Sequence, residues 1–249
     1  MPAIKSAIIV ASFGSADDSI REKIFDKLTA EISCAFPKFE VRQAFTSSFM
    51  IRKLARRGIF IATPSEEISK LRAEGFRKIF LLPTHLTQGE EFDNKIQSCA
   101  GDDVEIISPL LSETPDEKVF ATILKCFTRD EDEDLILVGH GSPHRHNPVY
   151  EKLQRLAGEK IHVGVIELND TPNFADVIAR LKTSRAEKIL LAPLLFNGGL
   201  HVEREIAGDW FDKLTSRGYK VRVVKAGLGA FEKFRALYLS KLAEKIFGG

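Results

Sequence analysis

Short apolar runs alternate along the chain with longer segments in which apolar residues recur at helical spacing. The apolar runs predict strands at residues 6–12, 40–45, 78–83, 104–108, 135–139, 162–166, 188–194 and 220–224. The helical segments begin near Asp17, Pro64, Gly89, Pro115, Pro148, Pro172, His201 and Gly229. In several of them a threonine precedes a proline at the first helical position. This alternation predicts an α/β fold with parallel sheets flanked by helices on both faces.

Two segments of the chain repeat one another. Residues 64–91 and 172–201 each start with a proline that follows threonine, and each continues through a helix and a basic turn to a strand ending in proline. A glycine-bearing loop then opens a new helix. When the strand-ending prolines are aligned, Glu91 falls on His201.

A second match lies upstream of each repeated segment. AIIVASFGS, residues 7–15, is similar to LILVGHGSP, residues 135–143, and when Gly14 is set on Gly141, Phe13 falls on His140. Together the two matches predict that the chain is an internal duplication of one α/β unit.

The duplication predicts two similar α/β lobes, residues 1–128 and 129–249. The acidic run 129–134 lies at the join and is interpreted as a solvated connector. A chain of 249 residues is long enough to bury a large core, either as one α/β domain or as two lobes.

Composition narrows the class of protein. The formal net charge of +1 excludes a globally basic nucleic-acid binder, so an acidic ligand needs a local basic patch. The longest apolar runs are too short to cross a bilayer, which predicts no membrane association. Three scattered cysteines argue against a disulfide framework and favour a reducing compartment. The apolar N-terminal stretch is interpreted as a first strand, and the protein as cytoplasmic.

The ends of the predicted strands carry the candidate chemistry. In open parallel sheets, ligands bind at the carboxyl ends of strands, and the repeat places Phe13, Glu91, His140 and His201 at such ends. If the lobes face one another across a cleft, Glu91 and the two histidines converge. Two imidazoles and a carboxylate form an incomplete coordination shell for a divalent transition metal. The open coordination positions suit a protein that transfers the metal to another molecule.

Each of these residues has a structural alternative. His140 fits a buried histidine bonded to backbone, although the glycines on both sides leave its ring accessible to a flat ligand. His201 and Glu91 also fit as first-turn helix residues, where the helix dipole favours the glutamate but not a cation. Glu167 is a second carboxylate candidate, because it ends a strand after four apolar residues and must be solvated or partnered.

Basic residues fit a polycarboxylate ligand as well as a solvated surface. Arg52 and Lys53 lie in a basic run that is typical of an exposed helix face, yet arginine forks also suit carboxylates. His144 lies on a loop soon after His140, and it fits an exposed loop residue as well as a residue that delivers metal or binds a carboxylate. We select Arg145 and Arg204 as further carboxylate contacts.

Several motifs occur together in a fixed order. They are SFGS (12–15), AFTSSFMIRKL (44–54), HLTQGEEFD (85–93), VGHGSPH (138–144), VGVIE (163–167) and PLLFNGGLHVEREIAGD (193–209). In this set the chain resembles the class II chelatases, specifically the anaerobic sirohydrochlorin cobaltochelatases of the long, two-lobe type. The resemblance covers essentially the whole chain.

The resemblance implies a chelatase-like fold, with two similar Rossmann-like lobes around a central cleft. It implies that His140 and His201 are the paired active-site histidines, of which one accepts the pyrrole protons while both can ligate the metal. It also implies a glutamate ligand, which either Glu91 or Glu167 matches. Ser12 and Phe13, in the SFGS motif, are then expected near the substrate.

The implied substrate is sirohydrochlorin or precorrin-2, an eight-carboxylate tetrapyrrole on the route to cobalamin. Co²⁺ enters as a substrate, Fe²⁺ and Ni²⁺ are alternatives, and no permanently bound cofactor is expected. A homo-oligomer is compatible with the apolar helix faces. A non-catalytic tetrapyrrole or metal carrier and a sirohydrochlorin ferrochelatase remain alternatives. A phosphoryl-transfer enzyme is disfavoured because the chain lacks GxxxxGK[ST] and GxGxxG.

Overall fold

Two four-stranded parallel sheets organise residues 5–111, 116–142 and 146–248, which the computed structural model describes. The first sheet has the order β2-β1-β3-β4 and the second the order β6-β5-β7-β8. The strands are β1 (Ser6–Ser12), β2 (Glu40–Phe45), β3 (Lys78–Pro83), β4 (Val104–Ile106), β5 (Glu133–Gly139), β6 (Ile161–Val165), β7 (Lys188–Pro193) and β8 (Lys220–Val223). The same strand order in both sheets agrees with the internal duplication predicted from the repeat.

Helices connect the strands. The α-helices are α1 (Asp18–Ile20), α2 (Lys27–Ala35), α3 (Ser48–Ala55), α4 (Pro64–Ala73), α5 (Glu90–Lys95), α6 (Glu117–Leu124), α7 (Val149–Leu156), α8 (Phe174–Ser184), α9 (Phe211–Thr215) and α10 (Glu232–Phe247). Two segments are π-helical, π1 (Arg21–Asp26) between α1 and α2, and π2 (Val202–Trp210) directly before α9. Short 3₁₀ turns occur at Gln97–Cys99 and Leu228–Ala230. Helix α3 was not among the predicted helix starts.

Side-chain caps determine where helices begin. At α4 the Thr63 hydroxyl accepts the Glu66 N–H at 3.3 Å, and the Glu66 carboxylate accepts the Thr63 N–H at 2.8 Å. The predicted start at Pro64 is therefore confirmed. Helix α8 starts at Phe174, later than predicted, because the Asn173 side chain caps it and Pro172 stays outside the helix.

Each sheet is covered on both faces. Every residue of β1 after Ser6 is buried, which is the expected pattern for a central parallel strand. On one face of the first sheet, β1 packs with Ile68 and Leu71 of α4. In the second sheet, β5 packs with Val177 of α8 and Trp210 of π2.

The chain divides into two compact units, residues 1–110 with 235–249, and residues 111–234. The predicted lobes had their boundary at 128/129, which differs from this division. Helix α6 belongs to the second unit, where the Phe127 ring lies 5.6 Å from the Phe231 ring.

The C-terminal helix α10 belongs to the first unit from Arg235 onwards. The buried Arg235 guanidinium donates to the Glu31 carboxylate at 2.6 and 2.8 Å, and the Tyr238 hydroxyl donates to the Thr84 carbonyl at 3.2 Å. These contacts join residues far apart in sequence, so local patterns do not reveal them.

The acidic run is only partly a solvated connector. Glu133 and Asp134 are buried at the start of β5. Glu133 accepts a hydrogen bond from Arg222 at 2.7 Å, and Asp134 accepts one from His162 at 2.8 Å. Burial of these carboxylates is possible because each has a charged or polar partner. Within the described ranges, every helix falls short of the length or apolar character that a membrane span needs.

Candidate functional site

His140 is the first residue after β5, and main-chain hydrogen bonds tie it to the residues that follow β6. The Ile166 N–H donates to the Gly139 carbonyl at 2.9 Å, and the Glu167 N–H donates to the His140 carbonyl at 3.0 Å. Because the two main chains run side by side here, Glu167 Oε1 lies 3.9 Å from His140 Nδ1. The structure therefore brings one candidate carboxylate next to one candidate histidine.

His201 reaches the same place from the segment after β7. Its backbone has helical angles and leads directly into π2. The His201 and His140 ring centroids are 4.8 Å apart, with the ring planes at 82°. The side chains are 41% exposed for His140 and 52% exposed for His201, so a solute can reach both rings.

Glu205 is a carboxylate at this site that is not among the residues predicted from the sequence. It lies one turn after His201, and its Oε2 atom is 3.6 Å from His201 Nδ1. This oxygen is buried and has no hydrogen-bond partner among the described residues. The i, i+4 spacing in His-Val-Glu-Arg-Glu was the available signal.

The glycines beside His140 are required by packing as well as by access to the ring. A Cβ on Gly139 would lie 2.2 Å from Tyr150 Cε1, so a larger residue does not fit there. Gly141 has φ +78°, in the left-handed region that glycine tolerates best. The chain therefore turns sharply away from His140 immediately after the ring.

The environment of His201 lowers the pKa of its imidazole. Burial is the largest cause, and the charge of the neighbouring His140 acts in the same direction. The Glu205 and Glu167 carboxylates oppose this effect and raise the pKa. A lowered pKa means that His201 is largely neutral at pH 7, the form that can accept a proton or bind a metal.

The first prediction concerns these opposing effects on the pKa of His201. In the metal-free protein, Glu205→Gln is expected to lower the pKa of His201 further, because it removes a carboxylate that stabilises the imidazolium. The measurement is an NMR titration of the His201 ring protons. Glu203→Gln is the matched control, since Glu203 lies on the same helix but pairs with Lys225 at 2.9 Å. A higher pKa of His201 in Glu205→Gln, or an equal shift in the control, would contradict the prediction.

The first unit has the same backbone pattern with different side chains. The Thr46 N–H donates to the Ser12 carbonyl at 2.8 Å, and the Ser47 N–H donates to the Phe13 carbonyl at 3.2 Å. Phe13 is thus the counterpart of His140. By the same pattern, Ser47 of the first unit corresponds to Glu167 of the second. The duplication keeps the backbone, but this pair of imidazole and carboxylate occurs in the second unit.

The remaining candidate residues divide between the two units. Glu91 is half-buried in the first turn of α5, in the first unit. Ser12 is fully buried, whereas Phe13 is 41% exposed. The exposed basic candidates are Arg52 and Lys53 on α3 and, in the second unit, Arg204 on π2. His144 and Arg145 lie outside the described residues.

The structure brings together His140, His201 and Glu167, with Glu205 beside them. In the positions that the described side chains occupy, no three His, Cys, Asp or Glu residues already form a set that could hold a metal ion. Zinc–ligand bonds to imidazole and carboxylate are about 2.0–2.2 Å long, and ligation of a similar ion by these groups requires the rings and carboxylate to turn towards a common point. The second unit thus holds an open pair of imidazoles flanked by carboxylates.

The fold is that of the chelatases. The structure of SirB from Bacillus subtilis with Fe³⁺ matches with a TM-score of 0.66 at 15% identity, covering 98% of this chain and 97% of that chain. SirB from Bacillus subtilis subspecies spizizenii in complex with cobalt matches with a TM-score of 0.60 at 14% identity, covering 97% and 95%. At these identities the likeness establishes the fold alone.

The family follows from the sequence. A family model described as cobalt chelatase (CbiK) matches residues 6–247, and the chain belongs to this family. The sirohydrochlorin cobaltochelatase of Salmonella typhimurium is 23% identical, with 98% of this chain and 97% of the relative covered. The sirohydrochlorin cobaltochelatase CbiKC of Nitratidesulfovibrio vulgaris is 25% identical, with 99% and 92% covered. The predicted family and fold class are confirmed.

Proposed function

We propose that this protein is a sirohydrochlorin cobaltochelatase, which inserts Co²⁺ into sirohydrochlorin or precorrin-2 in anaerobic cobalamin biosynthesis. The observation that carries the proposal is the accessible pair of imidazoles of His140 and His201, 4.8 Å apart, in a member of the cobalt chelatase family. Relatives with this activity in their names align over nearly the whole chain. Neutral imidazole binds Co²⁺ and can also release it, as a chelatase requires.

Metal insertion releases two protons from the pyrrole nitrogens, so the site needs a proton acceptor. We assign this role to His201, because the lowered pKa keeps its ring largely neutral at pH 7. If the ring accepts a proton at Nε2, its Nδ1–H faces the Glu205 carboxylate 3.6 Å away. Glu205 then stabilises the imidazolium until the proton passes to solvent, and the ring, neutral again, can accept the second proton.

We propose that His140 and Glu167 hold Co²⁺. Their main chains are hydrogen-bonded to each other, and their side chains are 3.9 Å apart. His201 completes the set while its ring is neutral. Glu91, at the position that corresponds to His201 in the repeat, remains the alternative carboxylate.

The second prediction separates the two carboxylates. Glu167→Gln is expected to weaken Co²⁺ binding at least about tenfold, because an amide oxygen is a poorer ligand than a carboxylate oxygen beside His140. Glu91→Gln is expected to have a smaller effect. Titration of each metal-free variant with Co²⁺, followed by its visible absorption, makes the comparison. A larger loss in Glu91→Gln would reverse the assignment.

Basic residues are proposed to contact the eight carboxylates of the substrate. They are Arg52, Lys53, Arg204, His144 and Arg145, and the exposed Phe13 ring offers an apolar contact to the macrocycle. Ser12 stays a proposal for the substrate region, although its buried position leaves the hydroxyl away from the surface. We further propose that the protein acts in the cytoplasm without a permanently bound cofactor and without nucleic acid or membrane partners, and that it can form homo-oligomers.

The deciding experiment is an anaerobic insertion assay. Purified protein is mixed with sirohydrochlorin and Co²⁺, and the visible spectrum is followed against a protein-free control. A rate equal to the spontaneous rate would refute the proposal. Substrate in large excess over protein distinguishes an enzyme, which turns over repeatedly, from a carrier, which stops at one equivalent. Repeating the assay with Fe²⁺ and Ni²⁺ ranks the metals.

A further inference from the structure

Asp170 is a buried carboxylate close to the proposed site. It is 1% exposed, and its N–H donates to the Glu167 carbonyl at 3.3 Å, so it closes the turn that follows Glu167. A buried carboxylate is costly unless hydrogen-bond donors surround it. The hydrogen-bond donors around Asp170 therefore identify the parts of the chain that this buried carboxylate holds in place.

Both carboxylate oxygens reach the chain segment that follows His140. Oδ2 accepts the Ser142 N–H at 2.9 Å. Oδ1 accepts His146 Nδ1–H at 2.8 Å and the Asn147 N–H at 3.4 Å. Oδ1 also accepts the Thr171 N–H at 2.8 Å, which holds the carboxylate in its own turn. One side chain thus attaches this segment at two separate points.

The first of these attachments acts directly next to His140. Gly141 is the single residue between His140 and Ser142, and a Cβ on it would lie 3.2 Å from Asp170 Oδ2. Because Gly141 is conformationally permissive, its neighbours must determine the direction in which the chain leaves His140. The bond from Ser142 to Asp170 supplies that constraint.

We propose that Asp170 is a positioning residue for metal insertion, which holds His140 against Glu167 in the arrangement that receives Co²⁺. The inference rests on the proposed function. Asp170 connects the two residues of the pair. It lies in the turn that follows Glu167, and its carboxylate accepts a hydrogen bond from Ser142, two residues after His140. Asp170 itself touches neither metal nor substrate in this role.

Asp170→Asn tests the proposal with little change in side-chain volume. An amide has one oxygen, so its NH₂ group must face either Ser142 or the donors at 146–147, and one attachment is lost. We expect kcat for cobalt insertion to fall about 10- to 100-fold, as when residues that orient metal ligands are removed. The KM for sirohydrochlorin should stay within about twofold of wild type, and the visible spectrum of bound Co²⁺ should change.

Asp134→Asn is the matched control. Asp134 is also buried in the second unit and accepts His162 Nε2–H at 2.8 Å and the Ser184 hydroxyl at 2.6 Å. It lies at the opposite end of β5 from His140. We expect this variant to lose thermal stability while keeping the wild-type kcat and Co²⁺ spectrum.

A wild-type kcat and Co²⁺ spectrum in Asp170→Asn would overturn the inference, as would an equal loss of kcat in Asp134→Asn. If Asp170→Asn does not fold, Ser142→Pro decides, because proline has no N–H to donate to Asp170 Oδ2 while the carboxylate keeps its other hydrogen bonds. A lower kcat at unchanged KM then supports the inference, and a wild-type kcat overturns it. Absence of insertion by wild-type protein would instead refute the proposed function, while the Co²⁺ spectra would still test Asp170.

Discussion

His140→Ala and His201→Ala are each expected to lower the rate of cobalt insertion at least about 100-fold, since general-base help alone contributes about 10²–10⁴-fold. Both changes also remove an imidazole from a pair whose centroids are 4.8 Å apart, so Co²⁺ would lose one of its proposed ligands. Initial rates in the anaerobic assay measure the effect. Both side chains are partly exposed, and we expect their removal to leave the fold intact.

The roles assigned to the two histidines predict a difference between the variants. His140→Ala should mainly weaken Co²⁺ binding, so that a high metal concentration recovers part of the rate. His201→Ala removes the proton acceptor, and more metal should not restore the rate. Cys99→Ser is the control, because Cys99 lies in a short 3₁₀ turn of the first unit and should keep the wild-type rate. Full activity in either histidine variant would remove the proposed site.

The strands could be predicted almost residue by residue. β1, β2 and β3 have the predicted bounds, β6 is shifted by one residue, and the others differ by one or two residues at one end. The reason is physical: parallel strands covered on both faces are continuous apolar runs, which stand out from amphipathic helices. The repeat also placed His140 and His201 at the carboxyl ends of strands, and the structure shows the two rings side by side.

Residues that act through tertiary contacts could not be predicted. Asp170 is one aspartate among many until the fold brings Ser142 within 2.9 Å of it. Glu205 can be recognised as a candidate only after His201, one helical turn earlier, has been identified as one. Helix α10 packs in the first unit, where Arg235 donates to Glu31, and these two residues are 204 positions apart in the sequence. Periodicity reports which face is buried, but not which partner buries it.

The loop that leads into His201 depends on close contact between two backbone segments. The Leu228 N–H donates to the Leu195 carbonyl at 2.8 Å, and the Gly229 N–H donates to the Phe196 carbonyl at 2.7 Å. Gly227 lies directly before these bonds and is buried. With φ −68° it has a backbone conformation that any residue adopts, so a requirement for glycine here has to come from space.

Gly227→Ala is therefore expected to destabilise the protein and to lower its activity together. The added Cβ would lie 2.3 Å from the Asn197 carbonyl carbon and 2.6 Å from the Gly198 nitrogen, and these are main-chain atoms that cannot turn away. Forcing a methyl group into such a contact costs about 1–3 kcal/mol. For a chain of this size, that cost corresponds to a decrease in Tm of about 3–10 °C.

Thermal unfolding and the insertion assay, run on the same preparations, measure both effects of Gly227→Ala. Gly158→Ala is the matched control, because a Cβ there meets no atom within 4 Å and should leave both quantities at their wild-type values. A wild-type Tm in Gly227→Ala would show that the main chain at Gly227 and the main chain at Asn197 and Gly198 can move apart without loss of stability. A lower Tm with undiminished activity below it would show that the position of His201 does not depend on this contact. The expected joint loss follows because the displaced residues, Asn197 and Gly198, lie only a few positions before His201, the proposed proton acceptor.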